Sequence, residues 1–128
     1  MHKLFLIVGT ILAGLAVALG AFGAHGLKKL ANEETVGIYQ TGVQYQMYHA
    51  LALLAIGLLA ERFSGNAIGY AGFLFMGGIT LFSGSLYLIA SLKAMNKEIS
   101  PVIGIMTPIG GLLFIAGWIV LLVALIRK

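Results

Sequence analysis

Between Tyr39 and Ala52 the sequence reads YQTGVQYQMYHALA, with Gln40, Gln44, Gln46, Thr41, Tyr39, Tyr45, Tyr48 and His49 crowded into one stretch. Amide, hydroxyl and phenol groups donate and accept hydrogen bonds without carrying charge. Such a set suits an uncharged polar group, the edge of a lipid headgroup, a quinone-like ring or ordered water. It suits helix–helix contacts equally well, each bond contributing about 0.6 kcal/mol in a membrane. A neutral imidazole at His49 can donate to one neighbour and accept from another. One reading makes it a structural knot with Tyr45, Gln44 or a serine of a later segment. The other gives it a ligand, proton or substrate role, the default for an ionisable group at membrane depth. His25, in Gly23-Ala24-His25-Gly26, either caps a helix end or joins the same site. The candidate ligand-binding residues are therefore His25, Gln40, Thr41, Gln44, Tyr45, Tyr48 and His49.

Other chemistries find less support. A metal centre needs three or four convergent ligands, and no buried carboxylate is available to join the histidines. The chain has no cysteine, which removes thiolate sites, disulfides and cysteine nucleophiles. A hydrolase needs a carboxylate to orient its base and a nucleophile elbow, and neither pattern is present. Haem ligation by His25 and His49 fails on spacing, because the two lie roughly 12 Å apart along a bundle axis. The expectation is a protein without cofactor or metal that is not an enzyme.

These residues have to be positioned by elements that live in lipid. Of 128 residues, 60% are hydrophobic and 9% charged, with a mean hydropathy of +1.03. A soluble domain is about 25% charged, so this chain cannot cover a water-facing surface. The net charge is +4, but the eight Lys and Arg are scattered at segment ends. That is the usual flanking of membrane spans and not the clustered patch of a nucleic-acid binder. The length allows one domain, 1–128, and four spans of about 20 residues use most of it.

The first apolar run, 4–24, has Thr10 as its only polar side chain and exceeds the usual signal-peptide core of about 7–15 residues. Small residues recur four apart, as in Gly9 and Ala13, Gly14 and Ala18, and Ala16, Gly20 and Ala24, which predicts a close helix–helix interface. Gly23 to Gly26 reads as the helix end, with glycine at a left-handed cap. Asn32 then caps a second helix, with Glu33 and Glu34 in its first turn.

The apolar part of that second helix, Ala50 to Ala60, is too short to span alone. The span must reach back over 40–60 and take the polar stretch into the membrane. At 100° per residue, Gln40, Gln44, Tyr48, Thr41, Tyr45 and His49 fall on one half of the helix. Val43, Met47, Ala50 and Leu54 fall on the other, and Gln46 is the outlier. The prediction is a polar half facing protein and an apolar half facing lipid, since polar groups at membrane depth must find partners or line water.

A third span covers 67–92, with Thr80, Ser83, Ser85 and Ser91 able to bond the preceding turn of their own helix. Tyr70 and Tyr87 are interface anchors, or Tyr87 pairs with the polar half of the second helix. The fourth span covers 102–126, with Pro101 near its start and Pro108 expected to kink or open it. Trp118 reads as a packing residue. Helices one and two do not align with three and four, so an inverted repeat is not supported. Four spans place Lys3, Arg62, Arg127 and Lys128 on one side and Lys28, Lys29, Lys93 and Lys97 on the other. That even count leaves only the leading Lys3 to favour cytoplasmic termini.

Four ordered blocks now carry a resemblance. Gly20-Ala21-Phe22-Gly23-Ala24-His25-Gly26-Leu27 and Thr41-Gly42-Val43-Gln44-Tyr45-Gln46-Met47-Tyr48-His49-Ala50 resemble signatures of domain-of-unknown-function family 423. Phe82-Ser83-Gly84-Ser85-Leu86-Tyr87 fits the same pattern, as does Thr107-Pro108-Ile109-Gly110-Gly111 with Gly117-Trp118. The family is the UPF0382 or YwdK-like group of small bacterial membrane proteins, with a related human transmembrane protein. The resemblance implies a multi-pass protein of the bacterial plasma membrane, assigns no catalytic residue and carries no activity over.

The expected fold is an all-α membrane protein, a four-helix transmembrane bundle. The expected function is non-enzymatic binding of a small polar or lipidic ligand, or of a partner, through the second helix. The alternative is a small channel or transporter-like pore. The expected partners are the lipid bilayer, such a ligand and, because burying a polar half strains so small a bundle, a second copy in a homo-oligomer; nucleic acid is not among them.

Overall fold

The computed structural model describes residues 2–63 and 65–127, and it is built from helices, with no strand among the described residues. Four long helices carry the chain: α1 (Lys3–Leu30), α2 (Glu33–Leu59), α3 (Ala67–Ala94) and α4 (Pro101–Ile126). Of these, α1, α3 and α4 are long and apolar enough to cross a membrane. The fourth, α2, has 27 residues and extends about 40 Å, but the polar stretch dilutes its hydropathy.

The start of α2 follows its sequence. Ala31 turns extended, and the Asn32 side chain accepts a hydrogen bond from the Thr35 N–H at 2.8 Å. Glu33 and Glu34 sit in the first turn, where the helix dipole favours them. At the start of α4, Ser100 Oγ accepts from the Val102 N–H at 3.3 Å and Pro101 is the first helical residue.

Two boundary expectations are corrected. The first helix does not stop at Gly23 with a left-handed glycine. Gly23 is right-handed, with φ −60°, and α1 continues through a π-helical turn, Gly23–Leu27, to Leu30. The glycine is needed for space instead, because a Cβ there would lie 2.7 Å from Tyr39 Cε1 and 2.8 Å from Gln40 Nε2. Nor does Pro108 open α4, which stays helical from Pro101 to Ile126. A second π-helical turn, Ile79–Ser83, interrupts α3.

Close packing rests on small residues, as lipid-embedded association requires. The most extensive contact is α1 against α2, then α3 against α4, with α2 also lying on α3. A Cβ on Gly9 would stand 2.8 Å from the Ala50 carbonyl oxygen, so the α1 and α2 backbones nearly touch. Ala16 is buried in the same seam and Gly20 meets Val43. Gly14 has open space, and Ala18 and Ala24 are exposed, so the Gly14–Ala18 row is not an interface, whereas the other two rows each place small residues against α2. A Cβ on Gly110 would collide with the Phe82 backbone inside the π-helical turn of α3. Phe5, Leu53, Ile56, Ile68, Ala71, Phe75 and Phe114 fill the centre.

The termini of the helices pair up at two ends. His2 N–H donates to the Gly57 carbonyl at 2.9 Å, which brings the start of α1 beside the end of α2. Arg62 and Arg127 line a groove at that same end. At the opposite end Lys93 pairs with Glu34 at 3.2 Å.

The predicted facing of α2 is inverted. Gln46, the outlier, is buried, and Val43 and Ala50 from the supposed lipid side are buried with it. Gln44, Tyr45 and Tyr48 point outward, Gln40 and Thr41 are half-buried, and of the polar half only His49 is buried. In lipid both sides of a helix can be apolar, so polarity alone does not choose the inner side. Side-chain volume does: Gly42, Ala50, Ala52 and Gly57 are all buried and let neighbouring helices approach.

Candidate functional site

Within the span, the polar residues of α2 divide into an inner group bonded to other helices and an outer group that is not. Gln46 leads the inner group. Its amide Nε2 donates to the Leu12 carbonyl of α1 at 2.8 Å, and its Oε1 accepts from the Tyr87 hydroxyl of α3 at 2.6 Å. One side chain thus ties three helices together. Tyr87 takes the pairing role, although with Gln46 and not with the half of α2 considered in the sequence. Nearby, Ser83 Oγ donates to the Gly42 carbonyl at 2.7 Å, and Tyr39 hydroxyl to the Leu19 carbonyl at 2.8 Å. Ser85 and Thr107 share a hydrogen bond that joins α3 to α4.

His49 occupies an aromatic box. Its ring stacks on Phe114 at a centroid distance of 3.6 Å and an interplanar angle of 9°. Phe75 meets it edge-on at 5.2 Å. Nδ1 lies 2.8 Å from the Tyr45 carbonyl oxygen, and Nε2 lies 3.0 Å from the indole Nε1 of Trp118. A carbonyl can only accept, so the ring proton belongs on Nδ1. Nε2 then accepts from the indole N–H, which can only donate. Both ring nitrogens are occupied by protein, the hydrogen-bond knot that was one of the two readings of the sequence. Trp118 was missed as the partner; its single polar atom, deep in the span, was the signal.

His25 is not brought to this place. It is exposed, and its Nδ1 lies 3.0 Å from the Ala21 carbonyl on its own helix. The neighbouring Gly23 packs on Tyr39 and Gln40, ten residues before His49, a rise of about 15 Å along α2. Among the described residues no group of three His, Cys, Asp or Glu side chains converges on a point where a metal could bind.

The outer group differs from every other polar residue at this depth. Thr10, Thr41, Thr80 and Ser91 are also outside or half outside, yet each hydroxyl donates to the carbonyl four residues earlier on its own helix. Gln44 sits eleven residues from Glu33, about 16 Å into a helix of about 40 Å. Among the described residues its amide has no hydrogen-bond partner, nor has the Tyr48 hydroxyl, and 55% of Tyr48 is exposed. Tyr45, beside them, packs its ring between Tyr48 and Phe82.

Concavities lie elsewhere. A groove of about 690 Å³ at the end carrying the α2–α3 connection is lined by Glu61, Arg62, Asn66, Tyr70 and Arg127. An adjoining one of about 440 Å³ includes His2 and Phe73. Neither reaches Gln44, Gln46 or His49.

With this geometry in place, relatives can be compared. The profile of a family described as protein of unknown function (DUF423) matches residues 19–111. The UPF0382 membrane protein YwdK of Bacillus subtilis (strain 168) is 46% identical over 98% of both chains. A UPF0382 membrane protein of Staphylococcus epidermidis (strain ATCC 12228 / FDA PCI 1200) is 44% identical over 98% of this chain and 97% of its own. Another from Staphylococcus aureus (strain bovine RF122 / ET3-1) is 45% identical over 95% and 94%. No solved structure matches the chain.

Proposed function

Given that this chain belongs to the DUF423 family of membrane proteins, we propose that it is a non-enzymatic protein of the bacterial plasma membrane. It crosses four times and binds a small polar or lipidic ligand, or a partner, through the outward polar face of α2. The observation that carries this reading is Gln44 together with Tyr48, whose polar atoms lack partners at a depth where every exposed hydroxyl of Thr and Ser has one. An unpaired amide in hydrocarbon costs several kcal/mol, so a binding partner at this face has a large driving force available. The candidate set narrows to Gln40, Thr41, Gln44, Tyr45 and Tyr48. Gln46 and His49 are spent on internal hydrogen bonds, and His25 bonds its own helix end.

A pore is the weaker reading. Phe5, Phe75, Phe114, Leu53 and Ile56 fill the bundle interior, so a wet path inside one copy has no room.

Native mass spectrometry of gently solubilised protein tests the binding reading. A stoichiometric small molecule, lipid or protein that is lost when Gln44→Leu and Tyr48→Phe are combined supports it. Retention of the same species by that variant, or a bare single chain in every lipid composition, overturns it.

A further inference from the structure

The exposed side of α2 has a regularity that a lipid-facing surface does not need. Past its first turn the exposed residues are Gly37, Gln44, Tyr45, Tyr48, Leu51, Ala55 and Leu58; all of them but Tyr45, together with half-buried Thr41, form one series. The intervals run four, three, four, three, four, three. This is the 3.5-residue repeat of a left-handed coiled-coil seam, in which alternate positions meet a neighbouring helix. Within one copy nothing sits on that seam: α1 and α3 pack on the opposite side through Gly42, Val43, Gln46 and Leu53.

We infer that this seam joins two copies of the chain through a parallel α2–α2 contact, with Gln44 facing Gln44 of the second copy. The inference rests on the binding role proposed for this face and names its occupant. Three arguments choose a second copy.

The first is hydrogen-bond complementarity. A glutamine side chain carries both an acceptor oxygen and a donor NH2. Two copies inserted with the same orientation are related by an axis along the membrane normal, which places equal residues opposite each other. Each Gln44 can then donate to the other and accept from it, so one contact satisfies both amides. Thr41 and Tyr48, one step on either side, frame that layer.

The second is register. A single buried polar residue at one layer of an otherwise apolar or small-residue seam fixes the pairing register of coiled coils. Gln44 is the only amide among the seven seam positions.

The third is size. A strip about 32 Å long and about 12 Å wide, the rise from Gly37 to Leu58 and the width of a helix with its side chains, has an area of roughly 400 Å² per copy. Two copies bury about 800 Å², the size class of a weak, reversible pairing. Gly37 and Ala55 keep the approach close, while Leu51 and Leu58, each more than half exposed, supply apolar contact.

The absence of native cysteine makes the test direct. Single cysteines are introduced along α2 in the full chain, and native membranes are oxidised mildly. Disulfide-linked dimers are expected to peak at Leu51→Cys, which leaves the Gln44 layer in place. They should stay prominent at Tyr48→Cys and Ala55→Cys, and be minimal at Val43→Cys, Ala50→Cys and Leu53→Cys. In the Leu51→Cys background, adding Gln44→Leu is expected to lower the dimer fraction about threefold to tenfold, the effect of one or two membrane hydrogen bonds, whereas Gln44→Asn retains most of it. Gln44 is exposed and makes no hydrogen bond among the described residues, so these changes leave the single-copy fold intact.

Dimers that form without the 3.5-residue periodicity overturn the inference. So does a chain that stays monomeric on oxidation at every seam position. In the second case the bound species separates the two readings. A lipid or small molecule lost with Gln44→Leu sinks the dimer and leaves the binding face standing, whereas no bound species sinks both.

Discussion

Gln46 connects a backbone carbonyl of α1 to a phenol of α3, and among the described residues that phenol has no other hydrogen-bond partner. Replacing it with leucine leaves the half-buried Tyr87 hydroxyl unpaired, which costs about 1–3 kcal/mol. Tyr87→Phe removes only one bond and should cost about 1 kcal/mol. Because the two residues share that bond, the double variant should be less destabilised than the sum of the single ones. Unfolding of the purified protein in mixed detergent micelles measures all three. Simple additivity would mean that the bond contributes nothing. A second expectation concerns His49, whose proton is assigned to Nδ1 by the Tyr45 carbonyl and the Trp118 indole. Nitrogen-15 NMR should find that tautomer, and Trp118→Phe should release Nε2 from its donor. A proton found on Nε2 in the unaltered protein contradicts the network. At this scale the sequence was legible in residue type but not in direction. The stretch 39–52 is the polar centre, yet polarity ranked Gln46 as the exception. The inner face is selected by the glycines and alanines at 42, 50, 52 and 57, a criterion of volume that a polar-versus-apolar pattern does not contain.

The helices themselves were largely readable, because their ends carry local chemistry. Asn32 caps α2 and Ser100 caps α4, and each uses only a side chain and the next few backbone groups. Asn32→Ala should therefore cost about 1 kcal/mol, seen in the same unfolding measurement, and a neutral result would deny the cap its role. The π-helical turns at 23–27 and 79–83 could not be read in advance. They depend on what lies opposite: Tyr39 and Gln40 against Gly23, and Gly110 against the Phe82 backbone. This makes two glycines a matched pair for testing the packing. Gly110→Ala forces α3 and α4 apart and should destabilise by about 1–3 kcal/mol, as overpacking does. Gly14→Ala meets nothing within 4 Å and should be neutral or slightly stabilising, since alanine favours a helix over glycine by roughly 0.5–1 kcal/mol. Equal effects at the two positions would show that helix propensity, and not the α3–α4 approach, governs the response.

For the whole molecule, the number of crossings turns on α2. Three helices qualify as spans by length and apolarity, whereas α2 does not. Its place in the bundle argues that it crosses nonetheless. It runs the length of α1, from the Tyr39 hydroxyl on the Leu19 carbonyl, through Gln46 on the Leu12 carbonyl, to Gly57 on the His2 N–H. A helix paired along its length with a crossing helix crosses too. The alternative, α2 lying on the surface, changes the sidedness of the connections in a way that three single cysteines detect. Lys29→Cys, Asn66→Cys and Lys97→Cys are all exposed positions in connections or at helix ends. If α2 crosses, the cysteines at 29 and 97 share one side of the membrane and that at 66 lies on the other. If α2 stays on the surface, 29 and 66 share a side and 97 is opposite. An impermeant maleimide applied to intact cells distinguishes the patterns, and the expected result is labelling at 29 and 97 with protection at 66. The inverse, labelling at 66 alone, keeps four crossings but turns the termini outward. Because the sequence divides its basic residues four and four between the two sides of four spans, charge alone gives no direction, so the labelling decides the orientation as well as the crossing of α2. It also bears on the seam, since Gln44 can meet its equal in a parallel pair at membrane depth only if α2 crosses.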